Sequence, residues 1–268
     1  MTHRWITATV DSGGEDIYYE VTGDDDAGTI VLTHGAGGSH AAWFQQVPVL
    51  ADAGYRVVTW DCRGFGRSTY RTGTHGTAAA VADIEAVLGA VGAGRIHLCG
   101  QSMGGWWVTA YTVARPQRVR SLTLSNTVGA LWTEALEAHF RDFATRPPAT
   151  SEQLGAHAAL SSEFVARDPA RAFLYQQLNT FHTPPMAEIV TAIMSTRLAH
   201  AELDELGIPI LVITGSSDDL FPAPLIAGMA AGLANATFVE IPQAGHSPYF
   251  ERPDEYNDAL LRFLEKAP

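Results

Sequence analysis

Runs of apolar residues recur along this chain, separated by longer stretches whose apolar positions follow helical spacing. Residues 29–33, 96–100 and 208–214 are largely apolar, a pattern typical of short strands buried on both faces of a parallel sheet. Residues 77–91 and 253–266 instead show the spacing of helices with one buried face. The alternation of the two patterns predicts an α/β fold with a mostly parallel, doubly wound sheet.

Two further features complete the predicted core. Residues 5–10 and 17–21 alternate between apolar and polar side chains on either side of a Gly-containing turn, which predicts an antiparallel pair of strands. After the strand over 29–33 and the Gly-rich loop that follows it, a helix is predicted over residues 41–53.

Residues 128–201 interrupt this alternation. They contain no strand-like run, their helical stretches are broken by proline, and aromatic residues are scattered through them. Proline cannot donate a hydrogen bond within a helix, so these breaks predict several short helices. We interpret the segment as a helical cap inserted between two parts of one core, residues 1–127 and 202–268.

The acidic composition narrows the partners that we expect. The chain has 268 residues and a formal net charge of −12, whereas nucleic acids and anionic membrane surfaces bind basic stripes. No apolar run is long enough to span a bilayer, and the first residues do not resemble a signal peptide. We therefore expect a cytoplasmic protein that acts on a small molecule and binds neither nucleic acid nor membrane.

The cysteine and histidine residues do not suggest a metal centre. Cys62 and Cys99 each fall at the end of a strand-like run, and neither has a partner at zinc-site spacing. We predict that both are reduced thiols. The histidines do not form the paired helical pattern of metalloproteases, so we predict no metal site and no cofactor.

One short stretch has the residues expected of a nucleophile. The pentamer Gly100-x-Ser102-x-Gly104 follows an apolar run and opens a stretch with helical spacing. A Ser on such a strand-to-helix turn projects from the carboxyl edge of the sheet, next to the free amides of the helix N-terminus. The same pentamer also occurs as an ordinary Gly-rich turn, so further residues are needed to identify catalysis.

Those residues follow later strands. A Ser hydroxyl needs a general base, and the base needs a carboxylate to hold its tautomer. Asp218 and Asp219 come after the strand-like run at 208–214, and His246 comes after the last one. Because ligands bind at the carboxyl ends of parallel strands, we expect these side chains to meet Ser102 there.

Five motifs together resemble a known family. They are His34-Gly35, Asp61-x-Arg63-Gly64-x-Gly66-x-Ser68, Gly100-x-Ser102-x-Gly104-Gly105, Gly215-x-x-Asp218-x-x-x-Pro222 and Gly245-His246. In this order they are similar to the α/β-hydrolase superfamily, in the serine-nucleophile branch with a short helical cap. The resemblance runs from about residue 29 to the end of the chain, apart from the cap.

The resemblance implies a role for each catalytic position. Ser102 would be the nucleophile, His246 the general base and acid, and Asp218 the orienting carboxylate. Asp218 is preferred to Asp219 because its offsets from Gly215 and Pro222 match the family spacing.

It also implies the surroundings of the triad. The amides of Ala36 and Met103 would form the oxyanion hole, and His34, Trp106 and Trp132 are candidates for the substrate pocket. We interpret Asp61 and Arg63 as an internal pair that stabilises their loop.

The implied activity is hydrolysis of a carboxylic ester or lactone through an acyl-enzyme. Ser102 stands where haloalkane dehalogenases and epoxide hydrolases have Asp, and the sequence resembles 3-oxoadipate enol-lactonases and related esterases. Carbon–carbon hydrolases of meta-cleavage products are an alternative, although they commonly have Trp where this chain has Ser247. A cofactor-free haloperoxidase or perhydrolase and a ligand-binding receptor that retains the triad are further alternatives.

Overall fold

One eight-stranded sheet organises the described part of the chain. The computed structural model describes residues 3–24, 27–144, 154–155, 157–180 and 184–267. The strands are β1 (Trp5–Asp11), β2 (Asp16–Thr22), β3 (Gly28–Thr33), β4 (Tyr55–Trp60), β5 (Ile96–Gln101), β6 (Val119–Ser125), β7 (Ile210–Gly215) and β8 (Ala236–Ile241). Their order across the sheet is β1-β2-β4-β3-β5-β6-β7-β8.

The direction of the strands confirms the predicted fold class. Strands β3 to β8 are parallel to one another, and β2 pairs antiparallel with both β1 and β4. Every residue of β5 and β7 is buried, in keeping with their largely apolar sequences. Most of edge strand β1 is exposed, in keeping with its alternating sequence.

Helices connect these strands and cover the sheet. In the described residues they are α1 (Val47–Asp52), α2 (Thr77–Val91), α3 (Met103–Ala114), α4 (Glu134–Ala144), α5 (Ser162–Arg167), α6 (Pro169–Leu178), α7 (Met186–Ser195), α8 (His200–Asp204), α9 (Ala223–Ala230), α10 (Pro248–Glu251) and α11 (Pro253–Leu264). Short 3₁₀ turns span His40–Trp43 and Pro116–Arg118.

The helix predicted over residues 41–53 was only partly right. A 3₁₀ turn covers His40–Trp43, and α1 begins only at Val47, with Pro48 in its first turn. Proline lacks an N–H and fixes its own φ, so it favours the start of a helix over the interior.

Apolar side chains pack in two layers. Val31 of β3 belongs to the layer that contains α2 and α3 residues, whereas its neighbours Ile30 and Leu32 belong to the layer that contains α1 and α11 residues. Because successive side chains of a strand point to opposite faces, the two layers lie on opposite faces of the sheet. The sheet is therefore covered on both sides, as a doubly wound fold requires.

Helices α4 to α8 lie between β6 and β7 in the sequence, and the described residues of this segment form no strand. Residues 145–153, 156 and 181–183, which belong to the predicted cap, lie outside the described residues. Both cysteines are buried free thiols, as predicted. Within the described ranges, the helices are too short or too polar to cross a membrane.

Candidate active site

Ser102 occupies a strained turn between β5 and α3. Its backbone has φ 49° and ψ −121°, a conformation that costs a non-Gly residue on the order of 1–3 kcal/mol. Glycine on either side makes the turn sterically feasible: a Cβ on Gly100 would lie 2.5 Å from the Gly104 carbonyl oxygen, and one on Gly104 would lie 2.5 Å from that of Thr33. The turn holds Ser102 at the carboxyl edge of the sheet, where the sequence placed it.

Gln101 links this turn to two other loops. Its Nε2 donates to the backbone oxygen of His246 over 3.1 Å. On the other side, a Cβ on Gly35 would lie 2.1 Å from Gln101 Oε1 and 3.0 Å from the Cβ of Ser102. The loop after β3, the Ser102 turn and the His246 loop therefore lie against one another.

Asp218 and His246 form a buried hydrogen-bonded pair. His246 Nδ1 lies 2.9 Å from Asp218 Oδ2, and the two residues are 5% and 4% exposed. Asp218 Oδ1 accepts from the amides of Leu220 and Phe221 at 2.9 and 3.0 Å, so both carboxylate oxygens are engaged. Asp219 is exposed, and the structure pairs His246 with Asp218, the residue that the motif spacing favours.

The environment of Asp218 keeps it charged. Burial alone would raise its pKa, but the charge of His246, the hydrogen bond from that ring and the hydrogen bond from Asn126 outweigh burial and lower the pKa of Asp218 below its usual value. A carboxylate held in this form accepts the Nδ1 proton of the imidazole and leaves Nε2 free to accept another.

Asn126 is a site residue that sequence analysis missed. Its Nδ2 donates to Asp218 Oδ2 over 2.8 Å and lies 3.3 Å from the carbonyl oxygen of Gly245. Asn126 directly follows β6, is fully buried and has φ 47°, a region that Asn tolerates better than most residues. Its position after a parallel strand, at the same edge as Ser102, is the signal that could have identified it.

The predicted oxyanion-hole amides lie on the two loops that meet at Ser102. Helix α3 begins at Met103, so the Met103 amide belongs to the first turn, whose N–H groups have no partner within the helix. Ala36 follows Gly35, which packs against Ser102. The roles of Ala36 and Met103 stay predictions.

His34, a candidate pocket residue, supports the loop before Ala36. It is 1% exposed, with Nδ1 2.8 Å from the Gly35 oxygen and Nε2 3.0 Å from the Cys62 amide. Because the Cys62 N–H must donate to Nε2, Nδ1 carries the proton and donates to Gly35. Burial lowers the pKa of His34, in keeping with this neutral tautomer. Both nitrogens are thus engaged by backbone.

The other candidate pocket residues belong to an aromatic cluster beside His246. Trp106 lies 6.0 Å from Trp132 and 6.1 Å from Phe221, measured between ring centroids, and Phe221 lies 5.5 Å from His246. Phe140 stacks on Phe221 at 5.3 Å. Trp106 is fully buried and Trp132 half-buried. The cluster joins helix α3 to α4, which belongs to the predicted cap, next to the candidate base.

The predicted pair between Asp61 and Arg63 was wrong. Arg63 instead binds Asp83 of α2, with an Nη2 to Oδ1 distance of 2.6 Å. Asp61 accepts from the amide and the ring of His40, at 2.6 and 2.8 Å, and from the amide of Arg67. The tight turn after Asp61 directs the guanidinium of Arg63 towards α2, so adjacency in sequence did not identify its partner.

Within the described ranges, no group of three or more His, Cys, Asp or Glu side chains is arranged to hold a metal ion.

Known proteins match both the sequence and the fold. Residues 28–253 match the family model described as alpha/beta hydrolase fold. A Caulobacter segnis protein named "Putative carbamate hydrolase RutD" is 30% identical, over 97% of this chain and 99% of its own. A 2-hydroxy-6-oxononadienedioate/2-hydroxy-6-oxononatrienedioate hydrolase of Paraburkholderia phymatum is 28% identical, over 92% of this chain and 90% of its own.

A solved structure agrees with these matches. A thermophilic esterase from Thermogutta terrifontis superposes with a TM-score of 0.79 at 26% identity, and the match covers 97% of this chain and 98% of the esterase. Sequence model, curated relatives and three-dimensional fold agree, and we conclude that the chain belongs to the α/β-hydrolase fold family and is an enzyme of the hydrolase class.

Proposed function

We propose that this protein is a serine hydrolase that cleaves a carboxylic ester or lactone of a small, partly apolar substrate through an acyl-enzyme. The observation that carries the proposal is the buried hydrogen bond between His246 Nδ1 and Asp218 Oδ2, 2.9 Å long. His246 lies on a loop that accepts a hydrogen bond from Gln101, the residue before the strained turn of Ser102. A nucleophile, a base and an orienting carboxylate are the groups that acyl transfer requires.

The reaction proceeds in two halves. Ser102 Oγ attacks the carbonyl carbon while His246 Nε2 takes the hydroxyl proton, and the negative charge moves to the carbonyl oxygen. The amides of Met103 and Ala36 stabilise that oxyanion, and each such donor contributes roughly 3 kcal/mol in enzymes of this kind. His246 then protonates the leaving alcohol or enol oxygen, which leaves an ester of Ser102.

Water completes the cycle by the same steps in reverse. His246 Nε2 removes a proton from a water molecule, whose oxygen attacks the acyl carbon and displaces Ser102 Oγ. The proton held by His246 returns to Ser102, and the carboxylic acid leaves. Asp218 stays ionised throughout, because the charge of His246 and the hydrogen bond from Asn126 favour its carboxylate form.

The aromatic cluster supports the apolar part of the proposal. Trp132, Phe140 and Phe221 form a series of ring contacts that extends to His246. Pockets for small molecules are lined mainly by apolar and aromatic side chains. An acyl group or alcohol with an apolar portion would lie against these rings, while its carbonyl reaches the amides at the start of α3.

A carbon–carbon hydrolase is the second candidate, because a relative with that activity matches 92% of the chain. In this chain the residue after the candidate base is Ser247, which is fully buried and lies within hydrogen-bonding distance of Tyr175, 2.6 Å between the two oxygens. Ser247 stands at the sequence position where such hydrolases commonly have Trp. We therefore favour the ester or lactone.

The test compares the purified protein with Ser102→Ala on p-nitrophenyl esters of increasing acyl length, an enol-lactone, an aryl carbamate and a meta-cleavage product. We expect a burst and steady turnover of esters or lactone that disappear in Ser102→Ala, with the acyl-length optimum reporting the size of the pocket. Turnover that survives Ser102→Ala would refute the mechanism. Turnover of the meta-cleavage product alone would establish the second candidate. Tight ligand binding without turnover would indicate a receptor.

A further inference from the structure

The loop that carries His246 contacts the cap on both sides of the histidine. Gly245, the residue before His246, is linked to the cap through Glu251. Ser247, the residue after it, is linked through Tyr175. We call these two links, made by Ser161, Tyr175, Gly245, Ser247 and Glu251, the histidine clamp.

The first link passes through a buried carboxylate. Glu251 is 2% exposed, and its Oε1 accepts from the Gly245 amide over 2.9 Å. Its Oε2 accepts from both the amide and the hydroxyl of Ser161, at 3.1 and 2.6 Å. Ser161 also caps α5 by accepting from the Phe164 amide over 3.2 Å, so the same hydroxyl starts a cap helix and binds the histidine loop.

The cap approaches this loop closely enough to require glycine. A Cβ on Gly245 would lie 2.6 Å from the Ser161 amide nitrogen and 2.9 Å from Glu251 Oε1. Both distances are too short for a real side chain, and the atoms concerned are backbone or are already hydrogen-bonded. Gly245 is thus packed directly beneath the start of α5.

The second link is a pair of buried hydroxyls. Tyr175 Oη of α6 lies 2.6 Å from Ser247 Oγ, and the two residues are 4% and 0% exposed. From the core side, Asp218 and Gln101 hold His246 itself. The cap is linked to the Gly245 amide through Glu251 and to the Ser247 hydroxyl through Tyr175.

We propose that the cap is part of the machinery that positions the catalytic base: Ser161 and Tyr175 act as positioning residues that set the orientation of His246 through Glu251 and Ser247. This inference rests on the proposed function, in which His246 is the base. It gives the cap a role in proton transfer in addition to covering the site. Displacement of a reacting group by about 1 Å can cost on the order of 100-fold in rate.

The test removes the clamp hydroxyls and compares the effect with removal of hydroxyls that lie on or beside the cap but outside the clamp. The clamp variants are Ser161→Ala, Tyr175→Phe and the double variant. The matched controls are Tyr70→Phe, which removes a hydrogen bond to Glu188 of cap helix α7 away from the histidine loop, and Ser162→Ala, which removes an exposed hydroxyl beside Ser161. All are made in the full-length protein.

Three readouts separate positioning from simple support of the fold. They are kcat and KM on the best ester of the panel, the melting temperature, and the downfield proton resonance of the His246 Nδ1–H, assigned by its loss in His246→Ala. We expect the double variant to lose about 10- to 100-fold in kcat with KM within about twofold of the wild type. The downfield resonance of the double variant should broaden. Both controls should keep the wild-type kcat and a resonance as sharp as that of the wild type.

A merely structural clamp gives a different result. The clamp variants would then lose melting temperature to the same extent as Tyr70→Phe, with kcat and the resonance unchanged, and the inference would be overturned. If the wild type hydrolyses no ester or lactone, the proposed function fails separately, and the resonance alone then decides whether the cap orders His246.

Discussion

Replacement of Asp218 by Asn tests the orienting carboxylate without changing the volume of the side chain. Asp218 Oδ1 accepts from two backbone amides, those of Leu220 and Phe221. The amide oxygen of the new Asn must occupy that position, because an NH₂ group there would face two donors. Its Nδ2 is then forced to the place of Oδ2, facing His246 Nδ1 and Asn126 Nδ2.

Only one of these two contacts can adapt without cost to catalysis. Asn126 has a buried Oδ1 without a hydrogen-bond partner among the described residues, so rotation of its amide presents an acceptor to the new NH₂ group. His246 can accept from that group only in the tautomer with its proton on Nε2. That nitrogen then cannot take the proton of Ser102.

The expected loss follows from this change of tautomer. We expect Asp218→Asn to reduce kcat by about 10⁴-fold, which corresponds to about 5 kcal/mol of transition-state stabilisation. KM should change little, because Asp218 is buried and both of its carboxylate oxygens are engaged by protein groups. Steady-state hydrolysis of the preferred ester and active-site titration of folded protein measure both quantities.

Asp219→Asn is the matched control, since Asp219 is exposed on the same loop. It should keep nearly full activity. A folded Asp218→Asn protein that retains more than about a tenth of the wild-type kcat would contradict the role of Asp218, as would loss of activity in Asp219→Asn alone.

Three further predictions concern the surroundings of the triad and the stability of the fold. Asn126→Ala removes the 2.8 Å hydrogen bond to Asp218 and should lower kcat about 10-fold. The control is Asn257→Ala, which removes a buried amide of α11 and should leave kcat unchanged in the same assay. Gly104→Ala would place a Cβ 2.5 Å from the Thr33 oxygen and should lower the free energy of unfolding in urea by more than about 2 kcal/mol. In contrast, Gly89→Ala lies at an open position of α2 and should raise that free energy by up to about 1 kcal/mol. Burial disfavours protonation of His40, but hydrogen bonds to Asp61 and Glu20 outweigh it and raise the pKa of His40 to about 9. Since the unfolded value is about 6.5, the stabilisation is complete below pH 6.5 and is lost as pH rises through 9. The difference between these two pKa values corresponds to about 3 kcal/mol, which solvent screening of the partly exposed ring reduces to about 2 kcal/mol. His40→Gln should remove this pH dependence of the free energy of unfolding, and an unchanged slope in the variant would contradict the assignment.

The order of the elements was predictable because burial leaves a clear signature in sequence. Strand β5 is apolar because both of its faces are covered, and β1 alternates because one face is exposed. The arrangement of Asp218 and His246 was predictable for a related reason. Each follows a parallel strand, and all such ends lie at one edge of the sheet.

The partners of the buried charges outside this pair were not predictable. Arg63 binds Asp83 rather than Asp61, and Glu251 binds Ser161, which is far away in sequence. Sequence periodicity does not predict such contacts, because a buried polar group binds whichever donor or acceptor lies beside it once the loops have folded. Asn126 was missed for a similar reason: its role depends on a side chain that belongs to a later strand.

The pairing of β6 with β7 across the cap has a consequence during protein synthesis. Leu122 of β6 aligns with Ile210 of β7, so the sheet cannot be completed until the whole cap has been made. Chains begin to fold from the N-terminus as they leave the ribosome, and at that stage Ser102 is present without Asp218 or His246. A nascent chain of that length therefore lacks both residues that the proposed mechanism assigns to Ser102 as partners, and under that mechanism activity appears only when the last strands join the sheet.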